Sequence, residues 1–430
     1  MLRPAQPQNH CSFCSKSELH VNRLIAGPRN VFVCDECVQV FYELIQGEQR
    51  FSTHAQSAPT RVSTGLTPRQ IYQHLEQYVV GQARAKRALA VAVYNHYKRI
   101  EHKSRLVDVE LGKSNVLLIG PTGSGKTLLA QTLARLLDVP FCIADATALT
   151  EAGYVGEDVE SILSRLIHAA DGDVARAQRG IVYIDEIDKI ARKSADNPSI
   201  TRDVSGEGVQ QALLKIVEGS VVYVPPEGGR KHPQAEMLRV DTSDILFIAG
   251  GAFDGLSRIV AERIGASRPI NLPNLKVQQP PPREEGAVLA QVTTRDLLKY
   301  GFIPELVGRF ATLVVLEPLD QQALIDVLTR PRNALIKQYQ RLLGLDGVDL
   351  VFTQDALRAA ADEALRLGTG ARGLRAVVER TLLDVMYEVP SRRDIRRVVV
   401  DADAVLGRRS PHYYNHLGQP LSQVELGRAA

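Results

Sequence analysis

Hydrophobic positions in the middle of the chain fall in short continuous runs. Asn115-Val116-Leu117-Leu118-Ile119, Phe141-Cys142-Ile143-Ala144, Ile181-Val182-Tyr183-Ile184 and Ile245-Leu246-Phe247-Ile248-Ala249 are four of them. Each predicts a strand, whereas Leu128-Leu129-Ala130-Gln131-Thr132-Leu133-Ala134 continues as a helix. Strands alternating with helical stretches predict a parallel α/β sheet. After Glu317-Pro318-Leu319-Asp320 the pattern changes. Pro318 is placed to close a strand and Asp320 to cap the next helix. Beyond them Ala323–Leu343, Asp355–Leu367 and Leu374–Val389 show helical periodicity, with strand-like runs at Asp349–Phe352 and Arg397–Val400. That pattern predicts a smaller α+β domain.

The ends of the chain carry weaker patterns. Gln46-Gly47-Glu48-Gln49-Arg50 through Ser63-Thr64-Gly65 is polar and small with no period, as in a flexible tether. The expected organisation is a small module over 1–47, a linker over 48–65, a large α/β domain over 66–317 and a small α+β domain over 318–405. The tail over 406–430, with Tyr413-Tyr414-Asn415-His416 and Gly418-Gln419-Pro420, is expected to be disordered. No internal repeat is visible.

Composition narrows the function classes. The 430 residues are 44% hydrophobic and 23% charged, which excludes wholesale disorder and fibrous classes. With 52 basic and 49 acidic residues the net charge is +3, too small to imply nucleic acid or an anionic membrane as the main partner. No apolar run approaches the roughly 18 residues of a spanning helix. Met1-Leu2-Arg3-Pro4-Ala5-Gln6-Pro7 lacks the apolar core of a secretory signal, so a soluble cytoplasmic protein is expected.

Four of the five cysteines form a pattern: Cys11-x2-Cys14, nineteen residues, then Cys34-x2-Cys37. Two such pairs can close a tetrahedral thiolate set round a structural Zn²⁺, with no position left for a water. Two disulfides in a short secreted domain are the alternative, disfavoured by the absent export signal and by the spacing. Cys142 stands alone in an apolar stretch and reads as a small core residue. A module of about fifty residues needs zinc for much of its folding energy. Val31-Phe32-Val33 and Val38-x-Val40-Phe41 read as a self-association or adaptor surface, or as the module's own small core.

Gly120-Pro121-Thr122-Gly123-Ser124-Gly125-Lys126-Thr127 fits G-x4-G-K-[ST] in full, after a strand and before a helix that begins with Leu128. Its glycines let backbone N–H groups close round phosphates at a helix N-terminus. Lys126 is expected to reach the β- and γ-phosphates of ATP, and Thr127 to hold Mg²⁺. Ile181-Val182-Tyr183-Ile184-Asp185-Glu186 is a strand ending in two acids. Asp185 suits Mg²⁺, and Glu186 suits the attacking water. Helix-capping acids are the bland alternative.

Together with the four-cysteine module and the loop Gly153-Tyr154-Val155-Gly156-Glu157-Asp158, these motifs resemble the ClpX family. Those are AAA+ unfoldase subunits of the Clp protease. The resemblance runs from about Cys11 to about Val405. It implies a AAA+ P-loop ATPase domain with a small lid domain, behind a zinc-binding domain. It further implies a homohexameric ring that threads protein substrates, some brought by adaptors, through its pore. Tyr78-Val79-Val80-Gly81-Gln82 resembles the segment that packs on adenine, which gives Val80 a nucleotide contact. Ile303 through Arg309 resembles the box whose arginine reaches the neighbouring subunit's ATP, so Arg309 would act in trans. Gly370-Ala371-Arg372-Gly373-Leu374-Arg375 resembles the sensor-2 motif, with Arg372 reading nucleotide in cis. Tyr154 and Val155 would form a substrate-gripping loop. Arg202, within Lys193–Val204, and Arg230-Lys231-His232 resemble two further pore loops.

Two departures stand out. Where family members that dock on the ClpP peptidase carry an Ile-Gly-Phe-type tripeptide, this chain has Ile270-Asn271-Leu272 between Pro269 and Pro273. Two prolines stiffen a loop that must flex. A ClpP-type partner is therefore in doubt, and remodelling without a peptidase is the alternative. No polar sensor-1 residue is found near Ala252. A nucleic-acid remodeller of the clamp-loader kind is opposed by the near-neutral charge and the Tyr154 loop. A nucleotide-regulated scaffold without turnover is opposed by Glu186.

Overall fold

Five short apolar strands cannot pair and stay solvated, so they bury both faces between helices. The computed structural model describes residues 10–17, 20–28, 31–38, 65–103, 109, 111–150, 157–191, 206–225, 237–265 and 282–421. The chain separates into two compact units, Met1–Arg61 and Val62–Ala430.

In the first unit, strands Leu24–Ala26 and Phe32–Cys34 pair antiparallel, with Leu24 opposite Cys34. Among its described residues only Cys11 and Cys34 are buried. Val31 and Val38 are exposed, so they do not serve as a core within this described part. Cysteines occupy the positions that an apolar core would take in a larger domain.

In the second unit a parallel sheet runs in the order Thr312–Val315, Val116–Ile119, Leu246–Gly251, Ile181–Asp185, Phe141–Asp145. Alternation splits its side chains between two cores. Val116, Leu118, Ile181, Tyr183, Leu246 and Ile248 pack on one face with helices Pro68–Glu76, Ala83–His102 and Lys126–Leu137. Leu117, Ile119, Val182, Ile184, Phe247 and Ala249 face helices Ser161–Ala169 and Glu207–Glu218 on the other. Every strand in this sheet ends on the same edge, which is where such sheets place ligand sites.

A third core belongs to the small domain. Asp320 caps helix Gln321–Thr329 by accepting from the Ala323 N–H at 2.9 Å. The continuous helical periodicity over 323–343 is not one helix. It breaks into Gln321–Thr329 and Leu335–Leu345 around Pro331, which has no N–H to continue the ladder. Helices Gln354–Arg366 and Ala371–Glu388 complete the helical layer.

The tail expected to be disordered from residue 406 is ordered through Leu421. His412–Tyr414 forms a strand antiparallel to Arg397–Val400, which itself lies parallel to Asp349–Phe352. The Arg396 N–H donates to the Tyr414 carbonyl at 2.8 Å, and the Leu421 N–H donates to the Tyr413 carbonyl at 2.9 Å. Only Tyr413 is buried in this strand, with Leu421 packed on the same core. A single anchoring side chain in a polar segment leaves little periodic signal to read. We predict that Tyr413→Ala lowers unfolding stability by about 3 kcal/mol. Leu383→Ala, on a side chain 68% exposed, should change it by less than about 0.5 kcal/mol. Urea denaturation followed by circular dichroism compares the two, and equal effects would contradict an anchoring role for the tail.

Candidate functional site

The strand Val116–Ile119 delivers the chain into a loop that only glycine can follow. Gly123 has φ +77° and Gly125 has φ +100°, both in the left-handed region. Helix Lys126–Leu137 starts directly after Gly125, so the loop N–H groups gather at a helix N-terminus. Lys126 Nζ donates to the carbonyls of Gly120 at 2.7 Å and Pro121 at 3.0 Å. Burial pulls its ammonium below the ordinary lysine range, opposed by the charges of Asp185 and Asp188. Ser124 Oγ is buried with no hydrogen-bond partner among the described residues. Thr122 is exposed, while Pro121 and Leu128 are half-buried.

The neighbouring strand ends at Asp185, and the Thr127 hydroxyl lies 3.2 Å from Asp185 Oδ2. The Tyr183 hydroxyl donates to Asp185 Oδ1 at 3.1 Å. Burial pushes the Tyr183 phenol well above its ordinary value, so it carries its proton. Glu186 takes a left-handed φ of 55°, and its exposed side chain makes no capping hydrogen bond to the short helix after it. Its carboxylate is thus presented at the loop edge. An orphaned Ser124 hydroxyl, a lysine spent on its own loop, and a threonine facing an aspartate fit a Mg²⁺-nucleotide.

The small domain closes on this loop. The Ala371 N–H donates to the Gly123 carbonyl at 3.4 Å. A Cβ at Gly123 would stand 2.4 Å from the Thr369 carbonyl, and one at Gly370 would stand 2.8 Å from the Thr122 carbonyl. Helix Ala371–Glu388 therefore starts against the glycine loop, and Arg372 lies close enough to oppose the charge of Lys126. The segment Tyr78–Gln82 borders the same loop, with Val79 Cγ1 3.9 Å from a Cβ built at Gly125, and Val80 is half-buried beside it.

Arg309 is not brought to this loop. The buried Asn115, at the far end of the same strand, donates from Nδ2 to the carbonyls of Arg309 and Val217, both at 3.1 Å. The Arg309 guanidinium pairs with Glu218. Tyr154, Val155, Arg202, Arg230, Lys231 and His232 lie outside the described residues, as do Ile270, Asn271 and Leu272.

Several contributors were not read from the sequence. Gln82 is buried and clamps Glu317, donating to its carbonyl at 2.7 Å and accepting from its N–H at 2.9 Å. Lys86 is fully buried, with Nζ on the Val79 carbonyl at 2.6 Å and Glu76 Oε2 at 2.7 Å. Its signal was available: Lys86 begins the buried helical stripe Lys86, Leu89, Ala90, Val93, Tyr97. Near Ala252, Asp188 reaches over from the short 3-10 helix Ile187–Ile190 that follows the adjacent strand. Its Oδ1 accepts from the Ala252 N–H at 3.1 Å.

In the first unit the four sulfurs of Cys11, Cys14, Cys34 and Cys37 lie within 4.8 Å of one another, and no disulfide joins them. The Cys34 N–H points to Cys11 Sγ at 3.4 Å, the kind of outer contact that steadies a thiolate ligand.

Residues 112–313 match the family model described as AAA domain (Cdc48 subfamily), and 319–400 match the C-terminal, D2-small domain of ClpB protein. Fold and matches define a AAA+ ATPase with a small C-terminal domain behind a four-cysteine zinc-binding domain. Residues 9–47 match the ClpX C4-type zinc finger, and the three matches together support a ClpX-type AAA+ protein, an ATPase of the chaperone and unfoldase class. Among the described residues no helix is long and apolar enough to cross a membrane.

Two outcomes follow. Thiol titration of the native protein should release one Zn²⁺ per chain, with the far-ultraviolet signal of the first unit lost. Cys34→Ser should release none, and full release from that variant would contradict the four-sulfur site. Gly123→Ala should weaken nucleotide affinity about tenfold, since the left-handed φ alone costs about 1–2 kcal/mol. Unchanged affinity in a fluorescent-nucleotide titration would contradict the close approach to Thr369.

Proposed function

We propose that this chain is an ATP-dependent protein unfoldase that works as a homohexamer in the cytoplasm and threads protein substrates, some presented by adaptors, through a central pore. The observation that carries the reading is the backbone contact between the glycine loop and the small-domain helix, in a chain bearing a ClpX-type zinc finger. A nucleotide held there touches two domains at once, so its hydrolysis can change the angle between them.

In this mechanism Gly120, Pro121, Thr122, Gly123, Ser124, Gly125 and Leu128 cradle the phosphates through backbone groups. Lys126 exchanges its loop carbonyls for β- and γ-phosphate oxygens. Thr127 and Asp185 hold Mg²⁺, whose charge offsets that of the phosphates when it is bound. Glu186 orients the attacking water and draws its proton. Val80 packs against the base, while Gln82 and Lys86 fix that segment. Arg372 reads the bound nucleotide in cis from the small domain. Arg309 leaves Glu218 to meet the nucleotide of the adjacent subunit, because in its own chain it caps helix Pro304–Gly308 beside Asn115, at the end of strand Val116–Ile119 away from the glycine loop. Tyr154 and Val155 grip an extended chain by area and ring contact, which suits any sequence. Arg202, Arg230, Lys231 and His232 line the pore and its entrance.

Whether a ClpP-type peptidase receives the product is a separate question. Ile270-Asn271-Leu272 between two prolines favours a second reading, remodelling without degradation.

The test is ATP-dependent loss of fluorescence from a stably folded, tagged reporter. Wild type should unfold it. Glu186→Gln should bind ATP but lose hydrolysis by at least about 100-fold, and Tyr154→Ala should hydrolyse ATP without unfolding the reporter. ATP turnover with no unfolding of any tagged reporter would overturn the threading reading. Adding a ClpP-type peptidase then separates degradation from remodelling.

A further inference from the structure

Tyr183 is a polar exception in an apolar strand. Its neighbours Ile181, Val182 and Ile184 are aliphatic, and all four side chains are fully buried. A phenol placed there must either find a partner or lose the hydration of its hydroxyl without return. The strand solves this by alternation. Residues two apart point to the same face, so Tyr183 lies beneath Asp185 and its hydroxyl reaches Asp185 Oδ1 at 3.1 Å.

Room for that reach comes from the adjacent strand. A Cβ on Gly250 would stand 2.2 Å from the Tyr183 hydroxyl oxygen, closer than any side chain can approach. Gly250 needs no left-handed φ, and its backbone is ordinary strand. Close approach, rather than conformation, is what calls for glycine there. Tyr183 and Gly250 are thus a matched pair.

The carboxylate it touches is held from three directions. Asp185 Oδ1 accepts from the Tyr183 hydroxyl at 3.1 Å and the Glu186 N–H at 3.0 Å, whereas Oδ2 meets, among the described residues, the Thr127 hydroxyl at 3.2 Å. We propose that Tyr183 is a positioning residue that occupies Oδ1 and so turns Oδ2, beside Thr127, into the metal-facing oxygen. This rests on the reading of Asp185 and Thr127 as the pair that holds Mg²⁺. That ion tolerates little deviation from its preferred geometry, so a carboxylate free to swing binds it less well. Outer partners of ligating carboxylates usually change metal affinity by roughly 10–100-fold. The Glu186 N–H stays on Oδ1 when Tyr183 is lost, which places the effect near the lower end.

The experiment uses the full chain as wild type, Tyr183→Phe and Gly250→Ala, with a non-hydrolysable ATP analogue at saturation. Mn²⁺ binding is followed by electron paramagnetic resonance, and analogue affinity is measured separately in EDTA. Tyr183→Phe should weaken Mn²⁺ binding about 10-fold with metal-free analogue affinity unchanged. Gly250→Ala should weaken it in the same direction by displacing the ring. If circular dichroism shows that Gly250→Ala does not fold, Tyr183→Phe decides alone. Mn²⁺ affinity equal to wild type in Tyr183→Phe overturns the inference, as does an equal loss of metal-free analogue affinity, which marks a merely structural role. If wild type binds the analogue but no Mn²⁺, the metal-holding role of Asp185 fails, and the positioning role falls with it.

Discussion

The approach that shapes this molecule most is between two pieces of backbone. The Thr369 carbonyl occupies the space that a side chain on Gly123 would need, and Gly370 returns the constraint toward Thr122. Glycine on both sides lets the phosphate loop and the first turn of the small-domain helix touch without an intervening side chain. One partner of that contact is anchored in the core under the sheet, the other in the separate core of the small domain. Packed cores shift as bodies rather than deform locally, so a change at the loop has to be taken up at the junction between them.

A second joint stabilises the same junction from behind. The Gln82 side-chain amide makes two hydrogen bonds to the backbone of Glu317, which lies between the two matched domains. The segment that leads to Gln82 is held in turn by Lys86, whose buried ammonium is shared between Val79 and Glu76. A lone buried ammonium would be costly, and two acceptors offset that cost. Tyr78–Gln82 and Glu317 are thus joined by hydrogen bonds, while the glycine loop is tied to the small-domain helix by a separate one from Ala371.

The first unit obeys a different constraint. Its described part buries only two side chains, and both are cysteines. With no apolar core among its described residues, cohesion there falls to ligand bonds to one ion, which couples folding to zinc binding. Phe13, Ile25, Val31 and Val38 stay exposed around it. This unit is thus built round a point, whereas the second is built round a sheet.

Local chemistry was legible in the residues themselves. Gly120–Thr127, the pair Asp185-Glu186, the spacing of the four cysteines and the apolar runs of the sheet all carry short-range patterns that backbone geometry demands. Asp320 as a cap is of the same kind. What needed the tertiary structure were facts joining distant positions: Gln82 with Glu317, Gly123 with Thr369, Asn115 with Arg309, Asp188 with Ala252. Contacts across some 60 to 250 residues of chain leave no period. Pro331 and Tyr413 show the boundary between the two. A helical period ran through the proline, because periodicity records which face is apolar and not whether each N–H has a partner. The tail looked disordered, because one buried tyrosine suffices to anchor a strand once a neighbouring strand offers its backbone. Composition and spacing thus carry the local motifs of the chain, because those are short-range patterns, while packing alone decides which distant groups share a hydrogen bond.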